Sequence, residues 1–520
     1  MPVRASAVVL ALLLSAVLLP HASFAAPDGD ETKQARKDLK KHLKQLAAVT
    51  DALVKADARL DLNYAAPKAD EEGKARIESE LGDLRTKAGE LVGKIAAADN
   101  ADASEALLQY ATTVADPDVF ERTRSEMTRL TSDEAVKVLA ATLGGDLVEE
   151  EGKKRGKKGA APVAAQVLVA RLFDTIENPL TIPPLAAQIE KGTVPPVVNA
   201  CVAVAGKKQD PRLIIALITL LGRVEVTGGN EYYRVRQALV DQTGQDFLTK
   251  ERWEKWWAEN QTGYDYTKKG DAKEAKTRER APEEKVPAFF GTEIASNRVC
   301  FVVDCSGSMV MTDRPQESSE TDEQLAKKNP EDPAIRPLER MTRARTQLKA
   351  CIEALQPTQR FNVIAFSGTN KMWQTTVVAA TADNKAAALT FADGMRANGG
   401  TNTYDALRAA FELKDEAGQP AIDTIYFLSD GAPMIKMDNA GDQMRMYARD
   451  QVHKIMSYVD KENRFRGVVI HTFGMDGPGV WHTKMGARPP SLPTESDWLQ
   501  ILSSFMRELA AKNGGQFKSI

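Results

Sequence analysis

RVCFVVDCSGSM, residues 298–309, is an apolar run that ends abruptly in a carboxylate and two hydroxyls. Residues Arg298–Val303 read as a short strand, and Asp304, Ser306 and Ser308 fall in the loop that leaves it. The segments downstream repeat this alternation. Strands are expected at Phe361–Phe366, Trp373–Val378, Asp423–Leu428, Gly467–Phe473 and Gln516–Ile520. Helices are expected at Met341–Leu355, Lys385–Met395, Tyr404–Lys414, Gly441–Val459 and Trp498–Lys512. Such a pattern specifies an α/β doubly wound, mostly parallel sheet with helices on both faces. Phe361–Phe366 and Trp373–Val378 are joined too briefly for a crossover, so they are expected to form an antiparallel hairpin at one edge.

In open sheets of this kind ligands bind beyond the carboxyl ends of the strands. Three loops belong there: Asp304–Ser308, Asn398–Thr401 and Ser429–Gly431. They supply oxygen from Asp304, Ser306, Ser308, Thr401 and Asp430, without nitrogen or sulfur. Hard oxygen donors suit Mg²⁺, with Mn²⁺ or Ca²⁺ as alternatives. Two carboxylates neutralise a divalent ion and leave a coordination position for a carboxylate from another molecule. Gly307, Gly399 and Gly400 would let the backbone turn tightly beneath it. An EF-hand starting at Asp304 would need glycine and glutamate where Met309 and Pro315 stand. A serine hydrolase would need a G-x-S-x-G elbow, which Ser306 and Ser308 lack.

FVVDCSGSM, GGTNTYDAL and FLSDG together resemble the three segments of a von Willebrand factor type A domain, the fold of integrin I domains. The resemblance covers residues 290–520 and extends to the lead-in FFGTEIASNR. It implies a Rossmann-like sheet with a metal-ion-dependent adhesion site at its upper edge. Carried over residue by residue, Asp304, Ser306 and Ser308 are the first segment, Thr401 the threonine and Asp430 the last aspartate. Thr403 is a second candidate for the threonine. Two stretches depart from a minimal member. Residues 310–338 form a polar insertion that starts directly after Ser308, and residues 475–497 form a second loop containing Trp481 and His482. The first could cover the ion, shape a partner site or lend it Asp313 or Glu317, or be a solvated loop.

Upstream, residues 1–26 read as a signal peptide: Arg4, an apolar run from Ala5 to Leu19, and a small-residue cleavage site at Ser23-Phe24-Ala25. Residues 27–150 form amphipathic helices, with Leu39, Leu43, Leu46 and Leu53 at helical spacing and Leu81, Leu84, Leu91 and Ile95 likewise. The charged run EEEGKKRGKKGA (149–160) reads as a solvated linker. Residues 151–262 resume helical patterning, resemble HEAT-type repeats and place Trp253, Trp256 and Trp257 on one face, as a packing surface or a ligand platform. Asp210-Pro211 has the form of a helix cap followed by proline. Residues 263–289 are a charged linker.

The chain has 520 residues and a net charge of −3, which gives no global basic field for nucleic acid. No later stretch is long and apolar enough to span a membrane. Four cysteines cannot make a disulfide scaffold; a Cys300–Cys351 bridge is compatible with export but not fixed by spacing. The expectation is therefore an exported, non-enzymatic interaction protein, periplasmic, surface-bound or secreted. It would bind a divalent cation and take a protein partner through an acidic side chain. Alternatives are an accessory subunit docking a chelatase- or ATPase-like partner, for which no GxxxxGK[ST] loop is present, and a helical scaffold with a vestigial metal site.

Overall fold

The structure is a computed structural model that describes residues 30–64, 70–144, 161–226, 228–266, 287–313, 339–415, 420–430, 442–475, 479–480 and 495–520. The expected signal peptide at residues 1–26, the stretch 149–160, Glu317, Trp481 and His482 lie outside them. The chain divides into two compact units, Met1–Thr277 and Arg278–Ile520.

The first unit is helical. Its described helices are α1 (Asp30–Tyr64), α2 (Glu71–Ala96), α3 (Ala101–Thr113), α4 (Pro117–Met127), α5 (Asp133–Gly144), α6 (Val163–Leu172), α7 (Ile182–Lys191), α8 (Pro195–Ala205), α9 (Pro211–Val224), α10 (Gly229–Thr243) and α11 (Lys250–Asn260). Beyond α1, each helix packs on the one two positions ahead. One row runs α2–α4–α6–α8–α10 and the other α3–α5–α7–α9–α11. That is the neighbour-only packing of a helical-repeat stack. Helix starts are written locally. Asp210 accepts a hydrogen bond from Arg212 N ahead of Pro211, and Asp116 caps α4 ahead of Pro117. Proline at the first helical position loses nothing, because its missing N–H would have no intrahelical partner.

The tryptophan face of α11 closes the stack. Trp253 is fully buried, with its indole donating to Phe247 O. Trp256 and Trp257 meet the ring of Tyr264 edge-on, and Tyr264 meets Tyr266. The face is a packing surface, and Tyr264 and Tyr266, expected in the linker, belong to it instead.

The first described strands of the second unit form a hairpin, β1 (Ala288–Phe289) and β2 (Thr292–Glu293), which starts just ahead of the expected boundary at residue 290. The main sheet contains β3 (Arg298–Asp304), β5 (Arg360–Phe366), β6 (Asn370–Met372), β7 (Val378–Ala379), β8 (Thr424–Ser429), β9 (Val469–Gly474) and β11 (Phe517–Ser519). Its order is β11-β9-β8-β3-β5-β6, with β7 also on β5. The first five strands in that order are mutually parallel, and β6 and β7 run antiparallel to β5.

The edge hairpin is present but not as one strand. The expected Trp373–Val378 strand is replaced by β6 and β7, with a gap between them. Asn362 on β5 fills that gap: its amide donates to Gln374 O and Thr376 O, and its carbonyl accepts from Gln374 N. A side-chain amide thus takes the place of ladder bonds, and hydropathy alone does not signal it.

VCFVV is apolar throughout because both faces are covered. Val299, Phe301 and Val303 pack with α12 (Arg340–Ala354) and α13 (Ala382–Asp393). Cys300 and Val302 pack on the other side with α14 (Thr403–Glu412), α15 (Asp442–Asn463) and α16 (Glu495–Lys512). Cys351 lies in the first layer and Cys300 in the second, so no bridge joins them, and all four cysteines are free and buried.

Both departures from the minimal domain leave the same edge of the sheet. Val310 completes a 3₁₀ turn with Gly307. Beyond it β4 (Thr312–Asp313) pairs antiparallel with β10 (Gly479–Val480), so the two added segments share a two-stranded ribbon.

Two predictions follow from the far edge. Gly515 seats against β9 so closely that a Cβ would lie 1.9 Å from Ile470 O. Gly515→Ala is expected to cost about 2–4 kcal/mol in urea unfolding, through displacement of β11. His471 is half-buried, stacked on Tyr426, and its Nδ1 accepts from Gln516 N. Burial lowers its pKa below the ordinary 6.5. A depressed pKa contributes stability above pH 6.5 that is lost as pH falls through the folded value. His471→Asn should therefore flatten the melting-temperature profile on the acid side of pH 6.5.

Candidate functional site

The strand order reverses at β3: the chain moves from β3 to β5 on one side and later returns to β8 on the other. Loops leaving β3 and β8 diverge there, which opens a crevice at the carboxyl ends. Asp304 ends β3, and Asp430 follows β8.

Both carboxylates are buried. Asp304 Oδ1 accepts from Ser306 N at 2.7 Å, and its Oδ2 accepts from Ser429 Oγ at 2.6 Å. Asp430 Oδ1 accepts from Ser308 Oγ at 2.7 Å and from Ser306 Oγ at 3.4 Å. The two serine hydroxyls are 3.1 Å apart. Asp430 Oδ2 accepts from Arg340 Nη1 at 3.0 Å. Burial first, and then the charge of Asp430, push the Asp304 carboxyl well above the usual carboxylate range, against the hydrogen bonds from Ser429 and Ser306.

The third loop is fastened to the first by backbone. Gly307 N donates to Gly399 O at 2.9 Å and Asn398 N to Cys305 O at 2.7 Å. Asn402 N reaches Ser367 O at 2.7 Å. Gly399 has φ of +82°, and a Cβ there would meet only ordinary contacts, so the backbone conformation is what calls for glycine. Thr401 is buried just past this loop. Asn402 caps α14 through Asp405 N. Thr403, one residue on, is buried, and its hydroxyl has no hydrogen-bond partner among the described residues.

Asp304, Ser306, Ser308 and Asp430 therefore meet directly, and Thr401 lies on the loop bonded to theirs. Ser429 and Arg340 complete the cluster and were not among the expected site residues. Ser429 sits inside the FLSDG segment and was open to inspection. Arg340 lies 90 positions from Asp430 at the start of a helix, with no local signal. The thiol of Cys305, between Asp304 and Ser306, is pushed up to about 12, by burial first and then by the charge of Asp304.

Residues 299–432 match a family model described as von Willebrand factor type A domain. Over 106 residues the chain is 33% identical to inter alpha-trypsin inhibitor, heavy chain 4 of Mus musculus, and equally to inter-alpha-trypsin inhibitor heavy chain H4 of Homo sapiens. The match takes in 19% of this chain and 11% of each relative, so the chain spans only about a tenth of their length. A solved structure, von Willebrand factor type A from Catenulispora acidiphila, aligns at 19% identity and a TM-score of 0.27, over 44% of this chain and 39% of that one. Sheet order, loop placement and the matched stretch define an interaction-module class of domain. The second unit of the chain carries a von Willebrand factor type A domain, and a helical unit precedes it in the sequence. Among the described residues, no helix is long and apolar enough to cross a membrane.

Ser429 donates to Oδ2 of a fully buried carboxylate, whose Oδ1 takes the backbone N–H of Ser306. Ser429→Ala should destabilise the protein by about 1–3 kcal/mol in chemical unfolding, because it strips that oxygen of a donor.

Proposed function

We propose that the domain binds a divalent cation, Mg²⁺ foremost with Mn²⁺ or Ca²⁺ as alternatives, and through it captures an acidic side chain of a protein partner. One observation carries this reading: Asp304, Ser306, Ser308 and Asp430 converge within hydrogen-bond distance at the crevice of the sheet. The donor set fits a hard cation, being oxygen throughout. Two buried carboxylates in one pocket repel one another, and a divalent ion relieves that repulsion. The unpartnered Thr403 hydroxyl and buried Thr401 supply further oxygen on the adjoining loop.

In this reading Ser306 and Ser308 hold the ion directly, Asp304 and Asp430 balance its charge, and Thr401 joins from the third loop. The bound ion would offer an open position to an oxygen of the partner's carboxylate. The chain's own residues do the rest. Gly307 and Gly399 lock the loops in register, and Ser429 fixes the orientation of Asp304. The protein acts by binding rather than by catalysis: the serine hydroxyls bond Asp430 and each other. Export belongs to the same proposal and rests on the apolar run Ala5–Leu19 followed by Ser23-Phe24-Ala25, with the helical stack as a scaffold or second interface.

Thermal melting with EDTA or Mg²⁺ tests the proposal. Mg²⁺ at a hundredfold excess over Kd should raise the wild-type melting temperature by about 5–10 °C. Asp304→Asn should fold, lose that rise and lose Mg²⁺-dependent capture of an acidic partner in a pull-down. A wild-type protein unmoved by Mg²⁺, Mn²⁺ and Ca²⁺ alike would sink the reading.

A further inference from the structure

Arg340 is a permanent cation buried beside the proposed cation site. Its side chain is 2% exposed and that of Asp430 is 0% exposed, and they pair at 3.0 Å. The pairing uses Oδ2 of Asp430, while Oδ1 takes the hydroxyls of Ser306 and Ser308. Asp430 is thus shared between two sides: one oxygen toward the serine loop, the other toward the guanidinium. The backbone of Arg340 is engaged as well, its N–H donating to Met311 O at 2.9 Å, which draws together the two ends of the 310–338 insertion.

Burying a charged arginine is costly unless a paired anion and further hydrogen bonds compensate it. A role as simple helix anchor would not require a guanidinium against a carboxylate of the pocket. We propose that Arg340 is the resident counter-ion of this pocket, a positioning residue that holds Asp430 in place when no metal is bound and competes with a divalent cation for its charge. The inference rests on the cation reading given above. Two consequences follow from charge alone. With both carboxylates ionised and no metal, Asp304, Asp430 and Arg340 together contribute one negative charge to the pocket, and Asp430 is held by Arg340 and the two serine hydroxyls. With a divalent ion the same three groups leave it one charge positive. An anionic ligand is then favoured over a neutral one, and Arg340 adds to the attraction for a partner's carboxylate. The guanidinium also disfavours the ion itself, so the site binds metal more weakly than its oxygen donors alone would allow.

The test is melting and calorimetric Mg²⁺ titration of the full chain as wild type, Arg340→Met and Arg340→Lys. In EDTA, R340M should melt about 5–10 °C below wild type, because it removes the guanidinium that bonds Oδ2 of a buried carboxylate. Its Mg²⁺-induced rise should exceed the wild-type rise, and its Mg²⁺ affinity should be about tenfold tighter. R340K, which keeps the charge on a shorter stem, should lie between the two. If R340M does not fold without metal, the wild-type and R340K titrations decide, R340K being expected to bind Mg²⁺ more tightly than wild type. A purely structural ion pair would lower melting equally with and without Mg²⁺ and leave the affinity unchanged, and that result overturns the assignment. A wild-type protein that shows no Mg²⁺ response defeats the cation reading instead, whatever the variants do.

Discussion

Two carboxylates of like charge, buried together at the point where the strand order reverses, are the constraint around which the second unit is organised. Charges in such a place persist only if donors meet every oxygen. Here the donors come from three separate segments: the backbone of Ser306 with the hydroxyls of Ser306 and Ser308, the hydroxyl of Ser429, and the guanidinium of Arg340. The parallel sheet makes this convergence feasible, because strand ends that are far apart in sequence become neighbours along one edge. The apolar strands beneath fix the positions of the loops. Asp304 is the last residue of a strand whose preceding side chains are locked alternately into two core layers. A shift of one residue would turn its carboxylate to the other face.

Much of this was legible in the sequence, and the reason is locality. The strand-then-oxygen pattern of residues 298–309 lies in one contiguous run, as do GGTNTYDAL and FLSDG. Each gives its own position relative to a strand end or helix start. The same holds for Asp210-Pro211, where cap and first helical residue adjoin, and for the tryptophans of α11, whose spacing alone puts them on one face.

What escaped depended on groups distant in sequence. Asn362 looks like a polar blemish in a strand until the gap between β6 and β7 shows what its amide does. Arg340 reads as one more base in a charged stretch, and its carboxylate partner is 90 residues away. The two cysteines that spacing left open for a bridge belong to opposite faces of the sheet, which only the alternation of β3 and the placement of α12 decide. The linker, too, was drawn by composition, yet Tyr264 and Tyr266 are held by ring contacts that composition does not register.

The neighbour-only packing of the helical unit has a consequence of its own. Because each helix rests on near neighbours along the chain, those two positions away in particular, cohesion is a sum along a line rather than a property of one centre. Such an array frays inward from its ends, so the outermost turn governs how long the whole persists. In this chain the buried Trp253 and the rings packed around it sit at one terminus of the array, where such fraying would begin.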